Sequence, residues 1–215
     1  MKGMRVLIAC ERSGIVRDAF LRRGHIAISC DIVPTDTPGP HIQDDVLDHL
    51  DDGWDMMIAH PPCTYVANSG VRWLYEIPGR WKQMEDGAHF IRRLLDADIP
   101  YIALENPIPH KYALQIIGRK YDQIIQPWQF GHGETKATCL WLKALMPLEP
   151  TDIVSGRDAR IHKMGPSVNR GALRSISYPG IANAMSAQWG DSNPDLSTVP
   201  VPEDAERQGE NNERI

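Results

Sequence analysis

The sequence lacks any long hydrophobic run. Its 215 residues contain no apolar stretch near the roughly 20 residues that a membrane-spanning helix needs. The first apolar stretch is interrupted by Glu11 and Arg12, with no cleavage site after it, which is not typical of a secretory signal. We therefore expect a cytoplasmic protein that does not enter a membrane.

Clustered cysteines are also missing. The four cysteines, Cys10, Cys30, Cys63 and Cys139, are far apart, with no CxxC pair and no Cys/His group at zinc spacing. We expect neither a disulfide nor a metal site, and His60, His110 and His132 do not have the spacing of metal ligands. Cys10, Cys30 and Cys139 are expected to be buried residues of the structural core.

An excess of positive charge is the third absence. The net charge of −5 argues against a generally basic nucleic-acid-binding protein, although a locally basic groove remains possible. Basic residues cluster in residues 157–174, which are expected to be either a solvated face or a nucleic-acid contact. Residues 191–215 are acidic and poor in large apolar residues, so they predict a disordered tail after a folded domain spanning residues 1–190.

Short apolar strands alternate with helical patterns along the chain. The predicted strands are MRVLIA, IAISCDI, WDMMIAH and IPYIALE, and the predicted helices are IVRDAFLRR, ended by Gly24, and KQMEDGAHFIRRLLDAD. This alternation predicts an α/β protein with a doubly wound, mostly parallel sheet. Further on, YDQIIQPWQF and KATCLWLKAL predict a β-pair joined by the turn GHGET, and PGIANAMSAQW predicts a last helix.

Polar residues follow the predicted strands at the points where they end. Gly14 lies after the first strand, Asp31 ends the second, and Asp45 follows a loop after it. Ligands bind beyond the carboxyl ends of strands in such sheets, where a glycine allows close approach and a carboxylate accepts from ribose hydroxyls. The pattern predicts a site for a cofactor that contains adenosine.

Two further motifs extend this pattern. HPPCTYVANSG and ALENP, in that order behind SGIVRDAFLRRGH, resemble the nucleophile loop and the Glu-Asn strand end of the DNA cytosine-5 methyltransferases. GHGETKATCLWL and YPGIANAMSAQW resemble later segments of the same family, and the resemblance covers about residues 4–190.

The resemblance implies a Rossmann-like, S-adenosylmethionine-dependent methyltransferase of the kind encoded by phages or mobile elements. It assigns catalytic roles to Cys63, Glu105, Asn106 and Lys136. It assigns cofactor binding to Cys10, Glu11, Ser13, Gly14, Asp31, Ile32, Asp45, Pro61 and Asn183. It assigns DNA contacts to Ser69, Arg72, Arg157, Arg160, Lys163, Arg170 and Arg174.

The chemistry of the family requires these residue types. A Cys63 thiolate that adds to C6 of a flipped-out cytosine makes C5 nucleophilic. Glu105 would donate a proton at N3, for which its pKa is expected to be raised in a closed, dry site. Without the resemblance, Cys63 would be a packing residue and Glu105 a cap for the helix PIPHKYAL.

The chain also differs from the family pattern. Thr64 follows the cysteine where Gln is usual, and Lys136 and Thr138 stand where Arg is expected. Only about 30 residues separate LWLKAL from YPGIANAM, which leaves no room for the usual target-recognition region. We therefore expect reduced site specificity and keep two alternatives open: the same chemistry on RNA or a nucleotide, and a decayed nucleic-acid-binding or cofactor-binding protein. The oligomeric state is not predicted.

Overall fold

The computed structural model describes residues 3–165 and 176–190. These residues build a seven-stranded sheet from β1 (Arg5–Ala9), β2 (Ile26–Asp31), β3 (His41–Gln43), β4 (Met56–Ala59), β5 (Tyr101–Pro107), β6 (Gln123–Ile125) and β7 (Thr138–Lys143). The α-helices are α1 (Ile15–Arg22), α2 (Trp73–Glu76), α3 (Arg80–Leu95), α4 (Lys111–Ile117), α5 (Arg160–Lys163) and α6 (Pro179–Gln188). Short 3₁₀ turns occupy Val46–Asp48, Asn68–Gly70 and Pro127–Gln129.

The strand order is β3-β2-β1-β4-β5-β7-β6. Strands β1 to β5 are parallel, and β7 runs antiparallel to both β5 and β6. The chain winds from β1 outwards to β3, then returns to β4 on the other side of β1. This arrangement is a doubly wound, mostly parallel, Rossmann-like α/β sheet, so the predicted fold class is confirmed.

Helices cover both faces of the sheet because the central strands are buried on both sides. On one face, Leu7 and Met57 pack with α3 and α4. On the other face, Val6 and Ile58 pack with α1 and α6, whose Trp189 is 2% exposed. Alternate residues of β1 and β4 thus face opposite layers, as the two-residue period of a strand requires.

Most predicted elements are present within a few residues of their predicted bounds. Gly24 has a φ of 82° and follows the C-cap of α1, as predicted. The predicted antiparallel pair exists as β6 and β7, but β6 is short because Pro127 begins a 3₁₀ turn. Strand β3 was not predicted, since three residues do not carry a readable hydrophobic period.

Within the described ranges, no helix has both the length and the apolar character needed to cross a membrane. The same residues contain no group of three or more His, Cys, Asp or Glu arranged to hold a metal ion.

Candidate active site

A cavity of about 550 Å³ opens at the carboxyl ends of β1, β2 and β4, where the direction of winding reverses. The residues that line it are Cys10, Cys30, Asp31, Ile32, Asp44, Asp45, Val46, Pro62, Tyr65, Gln83, Asp86, Gly87 and Phe90. Four residues predicted for cofactor binding are among them: Cys10, Asp31, Ile32 and Asp45. The wall formed by α3 was not predicted, because helical periodicity indicates a buried face and not a cavity.

Asp31, Asp45 and Ile32 are among the residues at this cavity that were predicted to bind a cofactor. Asp31 Oδ1 accepts a hydrogen bond from the Val33 N–H at 3.1 Å, and Asp45 Oδ1 accepts one from the Leu47 N–H at 3.0 Å. These bonds orient both carboxylates. Ile32 is 74% exposed, so this large apolar side chain is available to a ligand. The carboxylates can accept hydrogen bonds from sugar hydroxyls, and the apolar side chain can pack against a flat base. Together they suit an adenosine group.

Glu11 and Ser13 hold the start of α1. The Glu11 carboxylate is 4% exposed and accepts hydrogen bonds from the backbone N–H groups of Val16 (2.8 Å) and Arg17 (3.2 Å) and from the Ser13 hydroxyl (3.0 Å). It thereby satisfies two of the N–H groups that have no partner within the helix. Neither residue is among the described residues that line the cavity, so their observed role is to shape the loop.

Gly14 is required in this loop for a reason the sequence did not indicate. Its φ is 73°, and a Cβ there would lie 2.3 Å from Thr37 Oγ1 and 2.4 Å from Arg17 Nη2. At Gly14 the chain's own side chains therefore occupy the space that a Cβ would need. Cys10 also has a positive φ, of 57°, which costs a residue with a Cβ on the order of 1 kcal/mol.

Arg17 fastens the loop between β2 and β3 to this region. Its side chain is fully buried. The guanidinium donates to Asp18 Oδ1 at 2.8 Å, Thr37 Oγ1 at 2.9 Å and the Pro38 carbonyl at 3.1 Å. Weaker contacts at 3.3 and 3.4 Å reach Thr35 Oγ1 and Ser29 Oγ. This cluster holds the chain that follows Ile32, a residue that lines the cavity.

The loop that carries Cys63 is tied to the end of β5. Asn106 is 2% exposed, and its Nδ2 donates to the Pro61 carbonyl at 2.9 Å. The Cys63 carbonyl accepts hydrogen bonds from the Val66 and Ala67 N–H groups, which makes a tight turn directly after the thiol. The two predicted motifs, distant in sequence, therefore meet at one edge of the sheet.

A second set of contacts holds the rest of this loop. The Asn68 N–H donates to the Ile108 carbonyl at 2.8 Å, and the His110 N–H donates to the Val66 carbonyl at 3.0 Å. His110 also caps α4, because its Nδ1 accepts from the Ala113 N–H at 3.2 Å. The cap of the helix that follows is thus His110, and the alternative role of Glu105 as that cap is wrong.

Glu105 instead pairs with His60, the residue directly after β4. Glu105 Oε2 lies 3.3 Å from His60 Nδ1, and each side chain is 12% exposed. Burial lowers the pKa of His60, but the hydrogen bond and charge of Glu105, with the charge of Glu11, raise it above its ordinary value. Burial raises the pKa of Glu105, but His60 and then Lys136 hold it below its ordinary value. The pKa of Glu105 is thus lowered and not raised as expected, because the hydrogen bond and charge of His60, with the charge of Lys136, outweigh the effect of burial.

Lys136 lies beside this pair, as its opposing effect on His60 indicates. Its Nζ also stands 5.6 Å from the centre of the Tyr178 ring. The Tyr178 hydroxyl donates to Glu134 Oε2 at 2.8 Å, so Lys136 joins a polar group on the chain before β7. The structure therefore brings Glu105, Asn106 and Lys136 to the same edge.

The other three cysteines are unsuited to nucleophilic chemistry. Burial, followed by the charge of Asp31, raises the pKa of the Cys10 thiol far above its ordinary value. Burial raises the pKa of Cys30 to about 11 and that of Cys139 to about 12. These thiols stay protonated at neutral pH, which leaves Cys63 as the candidate nucleophile. No disulfide joins any of the four cysteines, all of which lie in the described ranges.

An aromatic surface lies beside the Cys63 loop, on α2, α3 and α4. We use this name for Tyr75, Trp81 and Tyr112. Trp81 packs edge-on against both tyrosine rings at 5.6 and 5.0 Å, and the two tyrosine hydroxyls are 2.6 Å apart. Tyr75 is 67% exposed and Trp81 is 37% exposed, which is unusual for such large side chains. Sequence reasoning did not find this surface, because its members come from three separate segments.

Basic side chains border the aromatic surface. Arg72 stacks over Trp73 at 4.1 Å, and Arg80 stacks over Tyr65 at 4.3 Å. Ser69 lies in the exposed turn just before Arg72. Both predicted DNA contacts on this loop, Ser69 and Arg72, are therefore exposed.

The basic segment after β7 is only partly free to meet a polyanion. Arg160 pairs with Glu134 at 2.6 Å, and Arg157 stacks over Trp128 at 4.0 Å while donating to backbone carbonyls. Lys163 is exposed at the end of α5. The other two predicted contacts, Arg170 and Arg174, and the predicted tail 191–215, lie outside the described residues.

Asn183, predicted to bind cofactor, is exposed on α6. Its Oδ1 accepts a hydrogen bond from Arg22, in the last turn of α1, at 3.0 Å. Asn183 is not among the described residues that line the cavity, and neither is Pro61, whose carbonyl bonds Asn106. The structure thus does not bring Asn183 to the other predicted cofactor residues.

No protein-family model and no curated protein matches the sequence. Among solved structures, the chain is similar to a candidate DNA modification methyltransferase encoded within an Escherichia coli prophage, with 14% identity, a TM-score of 0.46, and coverage of 77% of this chain and 56% of that one. It is also similar to the methyltransferase EhMeth of Entamoeba histolytica, with 16% identity, a TM-score of 0.43, and coverage of 79% and 62%. A third similar structure is WbdD in complex with a kinase inhibitor, with 10% identity, a TM-score of 0.37, and coverage of 65% and 36%. The chain therefore spans less than two thirds of the length of each, and we base the proposed function on the residues of the site.

Proposed function

We propose that this protein transfers a methyl group from S-adenosylmethionine to C5 of cytosine in DNA, with Cys63 as the nucleophile. The observation that carries the proposal is the 2.9 Å hydrogen bond from Asn106 to the Pro61 carbonyl. This bond joins the thiol loop to the strand end that bears Glu105, beside a cavity of the size of a nucleotide-like ligand.

The cavity residues fit S-adenosylmethionine. Asp31 and Asp45 are oriented by backbone N–H groups and would accept from ribose hydroxyls and from the adenine amine. Ile32 would lie against the adenine ring. When bound, the cofactor supplies an electrophilic methyl group to a carbon that has been made nucleophilic.

The residues at the sheet edge would make that carbon nucleophilic. The Cys63 thiolate forms a bond to C6 of cytosine, and the electron pair of the C5–C6 double bond is pushed towards C5 and N3. Loss of the C5 proton to a base then lets the S–C6 bond break and returns the thiolate. Asn106 acts as a positioning residue, since its amide holds the carbonyl two residues before the thiol.

Glu105 and Lys136 would stabilise the ring as charge develops on it. A carboxyl group at N3 can donate a proton and hold the exocyclic amine. Lys136 lies near enough to Glu105 to affect its pKa, and its positive charge offsets negative charge on the substrate.

The surroundings of Cys63 favour a polynucleotide over a free nucleotide. The aromatic surface and the stacked Arg72 and Arg80 combine exposed rings with positive charge, the combination that binds unpaired bases and phosphates. A free nucleotide bound in a single pocket would not contact the exposed rings of the aromatic surface, which lie on three segments. Residues that read a duplex site are few, which is consistent with relaxed specificity.

The test is methyl transfer from labelled S-adenosylmethionine to duplex DNA, single-stranded DNA, RNA and dCMP. We expect label in DNA, mapped to cytosine by bisulfite sequencing, and none with Cys63→Ala. Cys139→Ala is the matched control, because it removes a thiol that is buried in the core, and it should retain transfer. Label only in RNA or only in dCMP would replace DNA as the substrate. Cofactor binding without transfer to any of the four would contradict the enzymatic function.

A further inference from the structure

The proposed reaction needs a proton at N3 of cytosine, yet His60 and Lys136 lower the pKa of Glu105, which makes it a poorer proton donor on its own. The nearest source of a proton is His60, whose Nδ1 faces Glu105 Oε2 at 3.3 Å. Both groups are nearly enclosed, so solvent does not readily exchange protons with the carboxylate when a base covers it. His60 Nε2 is buried with no hydrogen-bond partner among the described residues, so the contact of this ring with Glu105 is its main polar interaction.

We propose that His60 and Glu105 act as a single acid, in which His60 stores the proton that Glu105 delivers to N3 of the target cytosine. This inference rests on the proposed function. The motif that contains Cys63 therefore supplies two functional groups three residues apart: the nucleophile and the proton store.

The transfer balances as follows. The Nδ1–H bond of the His60 imidazolium breaks, and an O–H bond forms on the Glu105 carboxyl group. The same proton then passes to N3 as the Cys63 thiolate bonds to C6, leaving a neutral imidazole and a carboxylate. When the S–C6 bond breaks, the proton returns along the same path. No oxidant, reductant or further reactant takes part.

The neighbouring charges hold this proton in place. Glu105 on β5 and Glu11 in the loop after β1 both favour the charged imidazole, and Lys136 before β7 opposes it. The Glu11 carboxylate is engaged by the N–H groups of α1, so it stabilises the charge without taking the proton. The His60 N–H donates to the Ala9 carbonyl at 2.9 Å, which fixes the residue at the sheet edge.

The pH dependence of the reaction distinguishes a proton store from an ion pair that only stabilises the fold. A structural pair would affect stability but leave the pH dependence of the reaction unchanged. A proton store sets the alkaline limit of the reaction, because the pair must still carry its one proton when cytosine binds.

The experiment is a pH profile of single-turnover methyl transfer to DNA for the wild-type protein, His60→Gln and the exposed control His89→Gln. We expect the alkaline limb of the His60→Gln profile to shift to lower pH by about one pH unit or more. The reason is that the Glu105 carboxyl group alone loses its proton at a lower pH than the His60–Glu105 pair does. The acid limb should not move, and His89→Gln should follow the wild type. An alkaline limb in His60→Gln that coincides with the wild type overturns the inference while leaving the proposed function intact.

A second measurement does not depend on activity. The ¹⁵N resonances of the His60 ring are titrated in the wild-type protein and in Glu105→Gln. The ring should titrate above its ordinary value in the wild type and below it in the variant, where burial acts without the carboxylate. Identical titrations would overturn the inference even if His60→Gln failed to fold. Absence of methyl transfer by the wild type to any substrate would instead contradict the proposed function itself.

Discussion

Arg17 supports the loop beside the cavity without lining the cavity itself, so its loss should test how much this support contributes to stability. Arg17→Met removes a fully buried guanidinium and leaves acceptors on Asp18, Thr37 and Pro38 without their donor. Each buried acceptor left without a donor costs about 1–3 kcal/mol, so we expect the loss of these bonds to cost about 3–5 kcal/mol in total. For a chain of this size, each kcal/mol lowers the melting temperature by about 2–4 °C, so we expect a fall of roughly 6–20 °C.

Arg22→Met is the matched control, since it makes the same chemical change on the same helix at an exposed position with one hydrogen bond. It should change the free energy of unfolding by less than about 0.5 kcal/mol. Thermal unfolding followed by circular dichroism measures both variants. If Arg17→Met melted within about 2 °C of Arg22→Met, the reasoning about the buried network would be refuted.

The same variant should weaken cofactor binding. Arg17 holds the loop that begins beside Ile32, so its loss frees one wall of the cavity. Isothermal titration with S-adenosylmethionine, at a temperature where Arg17→Met is folded, should show reduced affinity. Equal affinity in the two arginine variants would mean that the loop is held without Arg17.

Other perturbations have equally definite outcomes. Cys10→Gly should be more stable than Cys10→Ala by about 1 kcal/mol in denaturant unfolding, because only glycine relieves the positive φ of 57°; equal stability would deny any strain there. In the folded Cys63→Ala variant, alkylation of the remaining thiols should stay slow until the pH approaches about 11, the pKa to which burial raises Cys30. Rapid labelling of these thiols at neutral pH would contradict this expectation. Arg72→Gln should reduce the salt dependence of DNA binding by about one counterion, whereas Arg160→Gln should change it less, because Arg160 already pairs with Glu134; the reverse order would be inconsistent with the structure.

The order of elements was readable from the sequence because each central strand is a short apolar run bounded by polar residues. Helix α1 and helix α3 carried clear apolar stripes, and Gly24 marked the end of α1. The short elements β3, α2 and α5 were not predicted, since three or four residues do not contain one full period of either pattern.

The lining of the cavity was only partly predicted. Asp31, Ile32 and Asp45 stand where the sequence indicated, because strand ends in a parallel sheet converge. The packing at Gly14 was not predicted, because a sequence does not reveal that Arg17 and Thr37 fill the space beside it. The placement of Asn183 also differed, since the packing of α6 on α1 turns it towards Arg22.

The sequence by itself determined the alternation of strands and helices, and hence the edge of the sheet at which Cys63 and Glu105 lie, because local hydrophobic periods are properties of adjacent residues. The pairing of His60 with Glu105, the burial of Arg17 and the aromatic surface were decided only by the tertiary structure. The charge state and the exposure of a side chain depend on which distant segments pack against it, and a local sequence pattern does not predict those contacts.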